Sequence, residues 1–147
     1  METFRVLIVD DEMDFLETIV NRLLKRKIEA TGVPGGEAAL ALMKEKNFDV
    51  VLLDIKMPGG MDGIEILREI KKIQPLTEVI LLTGHASVET SIEGLKSGAF
   101  DYLLKPVKFA ELLEKLIAAF NKKDAQEQKI RGAKIREIIS IPDSGFE

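Results

Sequence analysis

The run Val50-Val51-Leu52-Leu53 constrains this chain more than any other stretch. Its apolar residues follow one another without alternation, and Asp54 and the turn-forming Pro58-Gly59-Gly60 come after them. A run of this kind reads as a short strand buried on both faces, as in a parallel sheet covered by helices. Asp54 then stands where a central strand leaves the sheet. A carboxylate there is costly to desolvate unless it is paired, bound to metal or used in chemistry. Taken alone, it reads equally well as a residue that caps a turn or a helix.

The rest of the chain repeats the pattern. Val6-Leu7-Ile8-Val9 precedes Asp10-Asp11-Glu12, and Val79-Ile80-Leu81-Leu82 precedes Thr83-Gly84. Tyr102-Leu103-Leu104 is a shorter run before Lys105-Pro106, whereas Ile28-Glu29-Ala30-Thr31 alternates as a half-exposed edge strand does. Between the runs, apolar residues recur at helical spacing. Examples are Phe15, Ile19 and Leu23; Ala39 and Met43; Ile64, Leu67 and Ile70, stopped by Pro75; Val88, Ile92 and Leu95; and Leu112, Leu116 and Phe120. Gly94 inside the fourth helix should weaken it by about 1 kcal/mol relative to alanine. Strict alternation with short connections predicts an α/β fold, a doubly wound (βα)5 three-layer sandwich. The expected sheet is parallel and five-stranded in order 2-1-3-4-5, with four strands buried and the second at an edge.

The chain has 147 residues, 46% of them hydrophobic, which suffices for one domain with a real core. We expect that domain over residues 1–120 and a polar tail over 121–147. In the tail, Ile130, Ile135, Ile138, Ile139 and Ile141 return after a polar stretch. A partly helical linker that extends the fifth helix, a coiled-coil seed and an irregular ordered extension all fit it; Gly132 weakens the helical reading, and Pro142 should end any helix. There is no cysteine, hence neither a disulfide framework nor a thiol site. No apolar run approaches the roughly 20 residues of a membrane span, and the first residues lack the pattern of a signal peptide. A cytoplasmic protein without membrane contact is expected. The net charge of −4 and the acidic residues interleaved among the tail lysines speak against direct nucleic-acid binding.

In such sheets ligands bind outside the carboxyl ends of the strands, near the point where strand order reverses. Asp10, Asp11, Asp54, Thr83 and Lys105 all fall at that edge. Clustered carboxylates raise one another's pKa values unless a cation intervenes. Few, hard oxygen ligands suit Mg²⁺. An aspartate there can act as a nucleophile and form an aspartyl phosphate, with a lysine, a hydroxyl and a metal neutralising the phosphoryl oxygens.

With these residues in place, the sequence resembles the receiver domain of two-component response regulators, a CheY-like or flavodoxin-like fold. The resemblance rests on Val9-Asp10-Asp11-Glu12, Leu53-Asp54-Ile55-Lys56-Met57-Pro58, Met61-Asp62-Gly63, Leu82-Thr83-Gly84-His85-Ala86 and Gly98-Ala99-Phe100-Asp101-Tyr102-Leu103-Leu104-Lys105-Pro106. It implies that Asp54 is the phosphoacceptor, served by a sensor histidine kinase or a histidine phosphotransfer protein. It implies a Mg²⁺ site, open to Mn²⁺ as a substitute, formed by Asp10, Asp11, Asp54 and the Lys56 backbone carbonyl. Thr83 and Lys105 would bind the phosphoryl group, and Thr83 and Tyr102 would form the switch. Such a domain catalyses only its own phosphorylation and dephosphorylation. A cis Lys105-Pro106 bond is implied as well.

Output would pass through the fourth helix, fifth strand and fifth helix, around Thr90, Lys96, Tyr102 and Glu111. Its form would be a phosphorylation-dependent homodimer, a downstream protein target or a C-terminal effector domain. Two features depart from the family pattern or vary within it. Gly59-Gly60 adds one glycine to the usual loop. Lys56 and His85 occupy positions that tune phosphate lifetime in similar proteins, and His85, the only histidine, is more simply a surface residue. A flavodoxin-like cofactor site would need a phosphate loop where the acidic Asp10-Asp11-Glu12 stands. A haloacid-dehalogenase-like phosphatase would place a second aspartate where Lys56 stands. A receiver-like module that is never phosphorylated would have no use for the full Asp, Thr and Lys set.

Overall fold

The computed structural model of the chain describes residues 4–57, 61–84 and 88–142. Strands and helices alternate throughout: β1 (Arg5–Val9), α1 (Met13–Lys25), β2 (Glu29–Val33), α2 (Gly36–Met43), β3 (Val50–Asp54), α3 (Gly63–Ile73), β4 (Glu78–Thr83), α4 (Val88–Lys96), β5 (Asp101–Leu104) and α5 (Phe109–Ser140). The sheet is parallel, in the order β2-β1-β3-β4-β5, as the alternation predicts. Every residue of β3 and β4 is buried, which explains their unbroken apolar runs.

Alternate side chains of each strand feed two cores. Val6, Ile8, Val50, Leu52, Ile80 and Leu82 pack with α1 and α5 residues such as Leu16, Leu23, Leu112 and Leu116. Leu7, Val9, Val51, Leu53, Val79 and Leu81 pack with Ala39, Met43, Ile66 and Ile70 of α2 and α3. Helices thus cover both faces of the sheet.

Two local expectations change. β5 is the second edge of the sheet rather than a buried strand, since it pairs with β4 alone, and of its residues only Leu103 is buried. Gly94 does not merely weaken α4. A Cβ built there would lie 2.2 Å from Leu81 Cδ1, so glycine is what lets α4 approach β4. Of the readings open for the tail, the helical one holds: α5 runs unbroken through residue 120 and through Gly132 to Ser140, a helix of 32 residues that stops before Pro142.

The middle of α5 is tied to the edge of the sheet opposite the acidic strand ends. Lys122 pairs with the buried Glu78 at 3.3 Å, and Lys123 pairs with Asp49 at 2.9 Å and also with Glu127. Beyond that point Ile135, Ile138, Ile139 and Ile141 are all exposed. Among the described residues, no helix is long and apolar enough to cross a membrane.

Candidate functional site

Strand register brings the polar residues together. Val9 of β1 is level with Leu53 of β3, Asp54 is level with Leu82 of β4, and Thr83 is level with Leu104 of β5. The next residue along each strand or loop therefore emerges at one edge, so Asp10, Asp54, Thr83 and Lys105 meet there. Asp10, Asp54 and Thr83 are buried. The Lys105-Pro106 bond is cis, as the resemblance implies.

Asp10 accepts from the Glu12 amide through Oδ1 at 2.9 Å and from Lys105 Nζ through Oδ2 at 2.8 Å. Asp54 accepts from the Lys56 amide through Oδ1 at 3.0 Å, while its Oδ2 lies 3.5 Å from Lys105 Nζ. Lys105 also reaches Glu12 Oε1 at 3.1 Å, and its Nζ stands 4.7 Å from the centroid of the Phe15 ring. The Thr83 hydroxyl donates to the carbonyl of Gly84 at 3.0 Å. Tyr102 is half-buried, with Lys115 Nζ 5.9 Å from its ring centroid.

Carboxylate oxygens of Asp10, Glu12 and Asp54 lie within 4.8 Å of one another. Asp11 is exposed, and among the described residues it is not part of that group. Glu12 enters the cluster although sequence reasoning gave it no role. Its position two residues beyond Asp10, at the N-cap of α1, was the available signal. Asp62, part of the motif around the site, is the N-cap of α3, accepting from the Ile64 and Glu65 amides at 2.8 and 3.0 Å. A Cβ on Gly63 would lie 2.6 Å from the Ile55 Cα, so the start of α3 packs directly under the backbone that follows Asp54. The extra glycine at Gly59-Gly60 and the lone His85 lie outside the described residues.

Burial raises the pKa of Asp54, and the charge of Asp10 adds to it, against the opposing pull of the Lys56 amide and Lys105. Burial alone would lower that of Lys105, but its bonds to Asp10 and Glu12 and the field of Asp54 and Asp10 raise it. The site thus holds carboxylates that repel one another, with one ammonium among them. The donors are hard oxygens at close range, a set that fits Mg²⁺.

This electrostatic conflict has a measurable consequence. A raised pKa means that the folded state holds the Asp54 proton more tightly than the unfolded state does. The associated stability is present below the ordinary carboxylate value and is lost as pH rises through the raised one. Without divalent cations, Asp54→Asn is therefore expected to stabilise the fold at neutral pH, on the order of 1 kcal/mol. The gain should vanish in acid below the ordinary range. Urea unfolding in a chelator at several pH values checks both the sign and the window.

The comparisons with known proteins agree with this fold. The family model for the response regulator receiver domain matches residues 6–117. The transcriptional regulatory protein ZraR of Salmonella typhimurium is 39% identical over 141 residues, which cover 93% of this chain and 32% of that protein. The regulatory protein AtoC of Escherichia coli is 43% identical over 108 residues, covering 74% of this chain and 23% of its own. Among solved structures, a CheY-like response regulator receiver domain protein from Methanospirillum hungatei superposes with a TM-score of 0.80 at 33% identity. That match covers 85% of this chain and 99% of the other. The receiver domain of NtrX from Brucella abortus gives 0.75 at 32% identity, covering 79% and 98%. The chain thus spans about a third or less of the length of these curated relatives. With the fold, the acidic edge and a family match over most of its length all in accord, this chain belongs to the response regulator receiver domain family of two-component signal transduction.

Proposed function

We propose that Asp54 is the residue that accepts the phosphoryl group in this receiver. The observation that carries the proposal is its setting: a buried carboxylate at the end of the central strand, with one oxygen held by the Lys56 amide and the other facing Lys105. Asp54 Oδ2 attacks phosphorus, the P–N bond to a partner's phosphohistidine breaks, and the electron pair leaves with the imidazole, which is then protonated. The donor is a sensor histidine kinase or a histidine phosphotransfer protein.

Asp10, Asp11, Asp54 and the Lys56 carbonyl would hold Mg²⁺, or Mn²⁺ in its place, with Glu12 close enough to add its charge. The metal, when bound, neutralises charge on the phosphoryl oxygens. Lys105 provides a second positive charge on the same oxygens, and Thr83 gives up its bond to Gly84 to donate to them. Tyr102 follows Thr83, which couples the site to the face formed by α4, β5 and α5. That face then recruits a downstream target or forms a homodimer.

Residues 1–120 act as the receiver and the rest as a linker. The named relatives are regulatory proteins, transcriptional in the case of ZraR, and far longer than this chain, which supports output through a further effector domain. The expected absence of nucleic-acid binding is therefore narrowed to the residues of this chain.

The test is incubation with acetyl phosphate and Mg²⁺ followed by intact-mass and peptide-mass measurement. The protein should gain one phosphoryl group on the peptide carrying Asp54, and Asp54→Asn should gain none. No uptake from acetyl phosphate or other small donors, or uptake that persists in Asp54→Asn, overturns the proposal.

A further inference from the structure

We infer that Glu12 is a positioning residue for Lys105, holding its ammonium off Asp54 until a phosphoryl group arrives. The inference rests on Asp54 being the phosphoacceptor. Lys105 has three N–H donors. One bonds Asp10 at 2.8 Å and another bonds Glu12 at 3.1 Å, while Asp54 Oδ2 stands further away at 3.5 Å. The ammonium is thus drawn toward the first turn of α1. Phe15, three residues beyond Glu12 and on the same side of the helix, offers its ring face to the same nitrogen at 4.7 Å.

The two carboxylates that hold Lys105 differ in what letting go requires. Asp10 is fully buried and is shared with the proposed metal site, so its charge has a use once the cation is bound. The Glu12 side chain is 65% exposed. Water takes over its carboxylate when Lys105 leaves, so the exchange is cheap and reversible. Lys105 at 19% exposure keeps little water of its own and needs a partner at every stage. Glu12 supplies that partner before phosphorylation and competes for the ammonium afterwards.

The experiment uses beryllofluoride as the phosphoryl probe at saturating Mg²⁺, followed by amide NMR. Glu12→Gln should bind it about two- to fivefold more tightly than the parent protein, the range of an exposed ion pair. The gain should disappear in a Lys105→Met background. A second reading is the Lys105 ammonium resonance of the Mg²⁺-bound, unphosphorylated protein. It should be visible in the parent and lost to exchange with water in Glu12→Gln. Equal affinities together with an unchanged ammonium resonance overturn the inference, as does a gain that survives Lys105→Met, which would be a general charge effect. A parent protein that binds no beryllofluoride refutes the phosphoacceptor reading and the inference with it.

Discussion

Lys105→Met is expected to slow phosphoryl uptake from acetyl phosphate by about 10²–10³-fold, the scale for removing one preorganised charge from a transition state. The same change should tighten Mg²⁺ binding several-fold. These opposite signs follow from one geometry. Lys105 lies within 3.5 Å of carboxylates on Asp10, Glu12 and Asp54, so it competes with a divalent cation for their charge. Once phosphorus is under attack, the ammonium no longer competes, because new negative oxygens are there to receive it. Uptake followed by mass spectrometry and Mg²⁺ affinity followed by calorimetry separate the two effects. Slower uptake with weaker Mg²⁺ binding would mean that Lys105 supports the metal site rather than competing with it.

Leu52→Ala should cost roughly 3–5 kcal/mol, the range for emptying a well-packed core position. Leu52 is fully buried and is level with Ile8 on one side and Ile80 on the other, in the core that α1 and α5 cover. It is also two residues from Asp54, so any relaxation that fills the cavity moves the strand carrying the acceptor. Domains of this size have total stabilities of about 5–15 kcal/mol, so the variant approaches the limit of remaining folded. Urea unfolding should show a lower midpoint with an unchanged slope. A loss under about 1 kcal/mol would indicate that the two helices close over the gap.

Much of this was legible in the residues themselves. Val6–Val9, Val50–Leu53 and Val79–Leu82 could hardly be anything but buried strands, and their alternation with amphipathic helices left few topologies open. The polar residue after each run then had to share an edge with the others, which is why Asp10, Asp54, Thr83 and Lys105 could be grouped in advance. Other features depended on tertiary distance. No local pattern shows that Gly94 is small because Leu81 lies beneath it. Glu12 reads as one more acidic residue until β5 brings Lys105 beside it from far along the chain. Whether α5 would reach through the tail was left open for a similar reason. Its polar middle has a weak apolar stripe, but Glu127 pairs along the helix with Lys123 and Arg131, Gln128 bonds Asp124, and Asp49 and Glu78 receive its lysines from the sheet.

The continuity of α5 has a mechanical consequence. Among the described residues, the last that pair with the sheet are Lys122 and Lys123, and the helix continues for about 17 residues, or roughly 25 Å at 1.5 Å per residue, to Ser140. A rigid rod held at one end is a lever arm. A tilt of about 5° at the anchor, smaller than many side-chain adjustments, would sweep its far end through about 2 Å, enough to change which residues meet across a contact.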